Sequence, residues 1–337
     1  MRKLASIQKI KNLEPIEGAD AIEKATVLGW QLVVKKDEFK IGDLCVYCEI
    51  DSIMPDKPDF EFLKARGMRI RTIRLRGQVS QGICFPLSIL DASVKVEEDV
   101  DVTEILGIIK YEPPIPACLS GIMKGKFPSF IPKTDETRVQ VLQNVLDKYQ
   151  GTKCYVTEKL DGSSATYFVK DNQFGVCSRN MELEEDGANS FWKVARETDL
   201  ENKMKMLNVN IALQGELVGE FIQTNRYKIR GHKVFFFTAF DIDNYRYYNL
   251  TELENILKQL ELPMVPVLDK NYILENNIDT IVKRATIKST MDAQSWAEGI
   301  VIRPIDEKID GELSDELGGG RVTFKAINPE FLLKYGE

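Results

Sequence analysis

Residues 111–134 read YEPPIPACLSGIMKGKFPSFIPKT, and little regular secondary structure can pass through them. Pro113, Pro114, Pro116, Pro128 and Pro132 each lack a backbone N–H, and each steers the residue before it away from helical angles. No helical or strand periodicity crosses the stretch. The chain therefore divides into a module at 1–110, this proline-rich junction at 111–134, and a larger domain at 135–337. With 337 residues, both bodies are long enough to bury a core.

The front module is a succession of short strand-like runs. GWQLVVKK and DLCVYCEID flank the turn KIGD, and MRIRTIRLRG and QGICFPL follow. Strands this short and this closely spaced predict a small β-barrel or sandwich. Behind the junction, TDETRVQVLQNVLDKYQG reads as a helix capped near Thr134 or Asp135, with Val139, Leu142, Val145 and Leu146 on one face. From residue 152 strands and helices mix. KCYVTEK, SATYFVK and FGVCSRN form a meander, ANSFWKVARETDLENKMKML a helix, and IALQGELVG, KVFFFTAFDI, EGIVIRP and RVTFKAI later strands. The whole is an α+β architecture.

Composition removes several function classes. A single histidine, His232, rules out a multi-histidine metal site and argues against histidine-based catalysis. The six cysteines are scattered through strand-like segments. The C-x-x-C of DLCVYCEID has no second pair at zinc spacing, so these thiols read as buried hydrophobes of a reducing compartment. No apolar run reaches the roughly 18 residues of a membrane span, and the N-terminus has no secretory pattern. The expectation is an intracellular protein, cytoplasmic or nuclear, that needs no membrane. With a net charge of −7, any hold on nucleic acid must come from a local basic surface.

Chemistry points to YVTEKLDGSSATYF, where Lys159 ends a strand just before an Asp-Gly turn. An isolated K-x-D-G is better read as a surface lysine before a turn. A lysine used as a nucleophile must be neutral when it attacks, against an ordinary pKa near 10.4, so it needs burial together with a neighbouring cation or metal. Groups of that kind follow in the chain. Lys159-Leu-Asp161-Gly162 resembles motif I of the covalent nucleotidyltransferases, the superfamily of ATP-dependent ligases and capping enzymes. Ser178-Arg179-Asn180 resembles motif Ia, GELVG with Glu216 motif III, and TAFDI with Phe240 motif IIIa. AEGIVIRP with Glu298 and Arg303 resembles motif IV, and TFKAINPEFLLK with Lys325 motif V. The chain departs from the pattern at Ile327, where a second motif V lysine is expected, and in KLDGSS, which lacks the arginine of K-x-D-G-x-R.

The resemblance implies a role for each residue. Lys159 would attack the α-phosphorus of ATP, and Arg179 and Glu216 would hold the ribose and α-phosphate region. Phe240 would stack on adenine, unless it is a core phenylalanine. Glu298, supported by Asp161, would bind Mg²⁺ or Mn²⁺. Lys325 and Arg303 would stabilise phosphate charge. Arg138 would grip the pyrophosphate, or else be a solvated arginine on a helix face.

An OB-like module in front of the catalytic domain resembles the RNA ligases of that domain order. It implies an OB-like β-barrel followed by an ATP-grasp-like ligase adenylation domain with antiparallel sheets and flanking helices. The implied reaction joins RNA 3′-hydroxyl and 5′-monophosphate ends through lysyl-AMP and RNA-adenylate, in a monomer with no obligate protein partner. The alternatives are a ligase preferring nicked DNA or DNA–RNA hybrid ends, and a catalytically inert nucleic-acid-binding relative. In ARGMRIRTIRLRGQ, Arg69, Arg71, Arg74 and Arg76 carry no acidic neighbour. They read either as a track for an RNA backbone or as an arginine-laced edge strand.

Overall fold

The computed structural model describes residues 3–187, 189–317 and 319–336. They fall into two compact units: Met1–Pro113 with Val139–Gln143 and Pro329–Glu337, and Pro114–Arg138 with Asn144–Asn328.

The first unit is built on five strands: β1 (Ala5–Pro15), β2 (Ile22–Val27), β3 (Trp30–Lys35), β4 (Leu44–Cys48) and β5 (Ile83–Phe85). They pair in the order β3-β2-β1-β4-β5. Alternation places Ile7, Ala25, Val27, Trp30, Leu32, Val46 and Cys48 in the core. The Gln81 N–H donates to the Gln31 carbonyl at 2.9 Å and the Val33 N–H to Ser80 Oγ at 3.0 Å. These bonds bring β3 beside the segment leading into β5, so the sheet nearly closes as an OB-like barrel.

The second unit has two sheets. In chain order its strands are β6 (Met123–Lys126), β7 (Thr137–Arg138), β8 (Lys153–Lys159), β9 (Ser163–Lys170), β10 (Gln173–Cys177), β11 (Met181–Leu183), β12 (Ile211–Gly219), β13 (His232–Asp241), β14 (Arg246–Tyr247), β15 (Val267–Ile273), β16 (Gly299–Pro304) and β17 (Phe324–Ile327). One sheet runs β6-β11-β10-β9-β12-β13-β14 and the other β7-β17-β16-β8-β15. Apart from the parallel pair β7–β17, the ladders are antiparallel. One face of the seven-stranded sheet packs Tyr167, Leu213, Leu217 and Phe236 against helical residues Phe191, Trp192, Leu200, Leu253 and Leu257. The expected α+β architecture is observed.

Two expected elements differ. The helix expected from residue 134 begins at Gln143 and ends at Tyr149, because Thr137–Arg138 is instead a strand in register with Phe324–Lys325. The helix expected across 188–207 is two, Ser190–Glu197 and Leu200–Lys205. Asp199 separates them with φ +51°, a left-handed angle no helix tolerates.

Candidate active site

The chain leaves one sheet of the second unit and enters the other at Leu160–Gly162, between β8 and β9. Lys159 is the last residue of β8 and pairs with Gly299, the first of β16, so Glu298 stands beside it. On the other sheet Glu216 pairs with Ser164. Close approach requires two glycines. A Cβ on Gly162 would lie 2.4 Å from the Leu217 carbonyl oxygen, and one on Gly299 would lie 2.1 Å from that of Ala326. The turn therefore sits tight against β12, and β16 against β17.

The groups gathered here are mostly charged and partly buried. Lys159 Nζ donates to Glu298 Oε2 at 2.6 Å, with side chains 22% and 16% exposed. Burial pulls the Lys159 ammonium down, but Glu298 and Glu216 outweigh it and hold it above the ordinary lysine value, with Glu136 adding to them. Burial pushes the Glu216 carboxyl up to about 8; repulsion from Glu298 and Glu136 adds to this and the pull of Lys159 and Arg179 opposes it. Lys325, opposite Val301 on β17, is drawn down to about 8 by burial and by repulsion from Lys159 and Arg138. A carboxylate cluster thus faces a cation cluster, in which Lys325 is the amine closest to shedding its proton.

The OB-fold domain model matches residues 4–87, and the RNA ligase family model matches residues 152–327. The chain belongs to the RNA ligase family. Solved structures agree over nearly the whole length. A Naegleria gruberi RNA ligase variant with AMP and Mn is 40% identical, with 98% of each chain covered and a TM-score of 0.87. A variant of the same ligase with ATP and Mn is 40% identical, with 100% of each chain covered and a TM-score of 0.89. The ligase with PPi is 41% identical, with 98% of each chain covered and a TM-score of 0.88. No curated protein matches.

In this RNA ligase the anticipated residues are placed unevenly. Lys159, Glu216, Glu298 and Lys325 converge. Arg138 lies on β7 in register with Lys325, and its charge bears on that amine, so the helix-face alternative falls. Arg179 is half exposed and pairs with Asp135 at 2.5 Å. Arg303, only 2% exposed, donates to Glu136 Oε1 at 2.7 Å and to Thr157 Oγ1 at 3.3 Å, so these bonds direct its guanidinium to protein partners. Asp161 is ion-paired with Arg226, and its backbone N–H donates to the Tyr227 hydroxyl at 2.7 Å.

Phe240 corrects an expectation. It is 1% exposed, in a core with Ile131, Phe168, Ala212 and Ile242, and the rings of Tyr245 and Tyr247 pack edge-on at 5.1 and 5.0 Å. A ring enclosed in this way offers no face to a base. Phe235 and Phe237 of the same strand are half-buried, and of the two Phe237 meets a cavity. It lines this cavity with Lys133, Thr134, Glu136, Gln214, Thr238 and Tyr247, and Arg303 lies 5.5 Å from its ring centroid.

In the first unit Arg69 is also corrected. It is 7% exposed, bonds Asp51 Oδ1 at 2.8 Å and stacks 3.7 Å from the Tyr111 ring centroid, so it holds the fold and is no part of an RNA track. Arg71, Arg74 and Arg76 are exposed, and Arg74 pairs with Glu330.

Sequence reasoning did not single out Glu136, which lies in the presumed helix, or Arg226, whose only signal was its position in a basic loop. It also missed Glu158. That buried carboxylate accepts hydrogen bonds from Ser289 Oγ at 2.5 Å, the Thr290 N–H at 2.9 Å and Thr290 Oγ1 at 2.5 Å, and so ties residues 289–290 behind the lysine.

The carboxylates also suit a divalent ion. Among the described residues, no group of three or more His, Cys, Asp or Glu could hold one unaided. Glu298, close enough to Glu216 to raise that carboxyl electrostatically, instead fits a hard ion shared with phosphate oxygens and water.

Proposed function

We propose that this RNA ligase joins RNA 3′-hydroxyl and 5′-monophosphate ends with ATP and Mn²⁺ or Mg²⁺, using Lys159 as the nucleophile. The observation that carries the reading is the position of Lys159 at the lip of β8, hydrogen-bonded to Glu298 at 2.6 Å and set between a carboxylate cluster and Lys325. The relatives that hold ATP or AMP with Mn support the choice of nucleotide and ion.

The residues have distinct tasks. The neutral Lys159 amine attacks the α-phosphorus of ATP; an N–P bond forms, the bond to pyrophosphate breaks, and the amine proton is released. Glu298 and Glu216 hold Lys159 above its ordinary pKa, so the Glu298 contact must be given up first. Glu298 is the ligand for the divalent ion, which when bound neutralises that carboxylate and screens the α-phosphate. Lys325 and Arg138 take up negative charge developing on the phosphates. Asp161, held by Arg226, fixes the turn behind the amine. Arg303 acts through Glu136, and Phe237 replaces Phe240 as the surface for the base.

The 5′-phosphate oxygen of RNA then attacks the lysyl-AMP phosphorus. The N–P bond breaks, and Lys159 regains its proton. Finally the 3′-hydroxyl attacks the activated 5′-phosphorus and AMP leaves.

The test uses α-labelled ATP with Mn²⁺ and three RNA pairs, ending in 3′-OH/5′-phosphate, 3′-OH/5′-OH and 3′-phosphate/5′-OH. Only the first pair is expected to seal. Sealing of the last pair, or labelling of Lys159→Met, would overturn the reading.

A further inference from the structure

The loop between β12 and β13 reads EFIQTNRYKIRG over residues 220–231, and it carries an exposed phenylalanine at an unfavourable backbone angle. Phe221 has φ +64° and is 79% exposed. A bulky side chain at positive φ is strained, and glycine would adopt the angle without cost. Burial does not offset that strain, because its neighbour Ile222, 1% exposed, is the residue that enters the core. Folding thus gives no reason for a large ring here. Strain retained at an exposed position points to a ligand.

The loop is well anchored. The Glu220 N–H donates to the Gly231 carbonyl at 2.9 Å and the Ile222 N–H to Gly219 at 3.2 Å. Asn225 Nδ2 donates to the Ile229 carbonyl at 2.9 Å, and the Ile229 N–H returns to Asn225 Oδ1 at 3.1 Å. The same loop reaches the catalytic turn. Gln223 Nε2 donates to the Gly162 carbonyl at 3.1 Å, Tyr227 holds the Asp161 N–H, and Arg226 pairs with the Asp161 carboxylate. Lys228, Arg230 and Lys233 are exposed, against Glu220 and against Asp292, which pairs with Lys228 at 3.4 Å, in a protein of net charge −7.

We propose that Phe221 is a stacking platform for an unpaired base of the RNA end, presented beside the Lys159 turn by a basic loop. An aromatic face with neighbouring cations is the chemistry that holds single-stranded nucleic acid, the ring taking the base and the cations the backbone. The pre-ordered loop lets the ring bind without first being immobilised. This inference rests on the RNA ligase reading and adds a contact for its substrate.

The test compares Phe221→Gly with Phe221→Trp. Glycine suits the φ angle, so the variant should melt no lower than wild type. Its lysyl-AMP formation with ATP and Mn²⁺, measured without RNA, should be unchanged. Its KM for short RNA ends should rise on the order of ten- to a hundredfold, the range spanned by base–aromatic stacking, with Phe221→Trp restoring it. RNA carrying 2-aminopurine near the joined ends should be quenched on binding to wild type and to Phe221→Trp, but not to Phe221→Gly.

An unchanged RNA KM and equal quenching in Phe221→Gly would overturn the proposal. So would an equal fall in lysyl-AMP formation, which would put the ring on the nucleotide. If wild type formed no lysyl-AMP, the catalytic reading would fail by itself, while the quenching experiment would still decide the platform.

Discussion

Replacing Lys325 with methionine should make the enzyme more stable and inactive. The side chain is half-buried, and desolvation together with the like charges of Lys159 and Arg138 draws its pKa from 10.5 to about 8. At about 1.4 kcal/mol for each tenfold change in proton affinity, the ammonium costs the folded state about 3 kcal/mol at pH 7. Methionine keeps the apolar stem and removes the charge, so Lys325→Met should recover up to about 3 kcal/mol at pH 7.

The pH dependence has a definite sign. Between pH 8 and 10.5 the unfolded lysine holds its proton and the folded one does not, so wild-type stability rises with pH across that window. Glu216 acts below it: with a folded value of about 8 against 4.5, its contribution is lost as pH rises from 4.5 through 8. Wild type should therefore be least stable near pH 8, and Lys325→Met should lack the upper rise. Denaturant unfolding followed by tryptophan fluorescence in a Trp30→Phe background, which leaves Trp192 and Trp296 of the second unit as reporters, measures the effect. A variant no more stable than wild type at pH 7, with the same slope above pH 8, would refute the reasoning.

Two further substitutions separate structural from functional residues. Arg69→Ala should destabilise the first unit by about 3 kcal/mol, as expected for a broken buried ion pair, and leave the salt dependence of RNA binding unchanged; denaturation and titrations at several salt concentrations check both. Phe237→Ala should raise the KM for ATP several-fold with little loss of stability. Phe240→Ala should cost about 3–5 kcal/mol of stability; a steady-state and denaturation comparison of the two distinguishes them.

The site was legible where chemistry forces a residue type next to a turn or strand end. Lys159 and Glu298 stand at such points and Lys325 is one residue from a strand start, whereas Glu216 lies inside β12 and was reached through the motif resemblance; the strands that carry them bring them together. Residues within regular strands were harder to place. Between β12 and β13 the register slips, Gln214 facing Thr238 while Gly215 faces Phe236, so Phe237 is an extra residue in a bulge. The simple alternation of VFFFTAF therefore cannot say which ring meets the cavity. Arg69 looked like part of a basic stripe because its partner, Asp51, is distant in sequence. Glu136 was hidden by an apolar spacing that suits a helix, though the chain there pairs with β17 instead.

The most direct measurement is to incubate the protein with ATP and Mn²⁺ without RNA, digest it, and locate the added AMP by peptide mass spectrometry. The account predicts one adenylylated residue, Lys159, and no adduct in Lys159→Met. An adduct on another lysine, or an unmodified protein that nevertheless seals RNA, would contradict it.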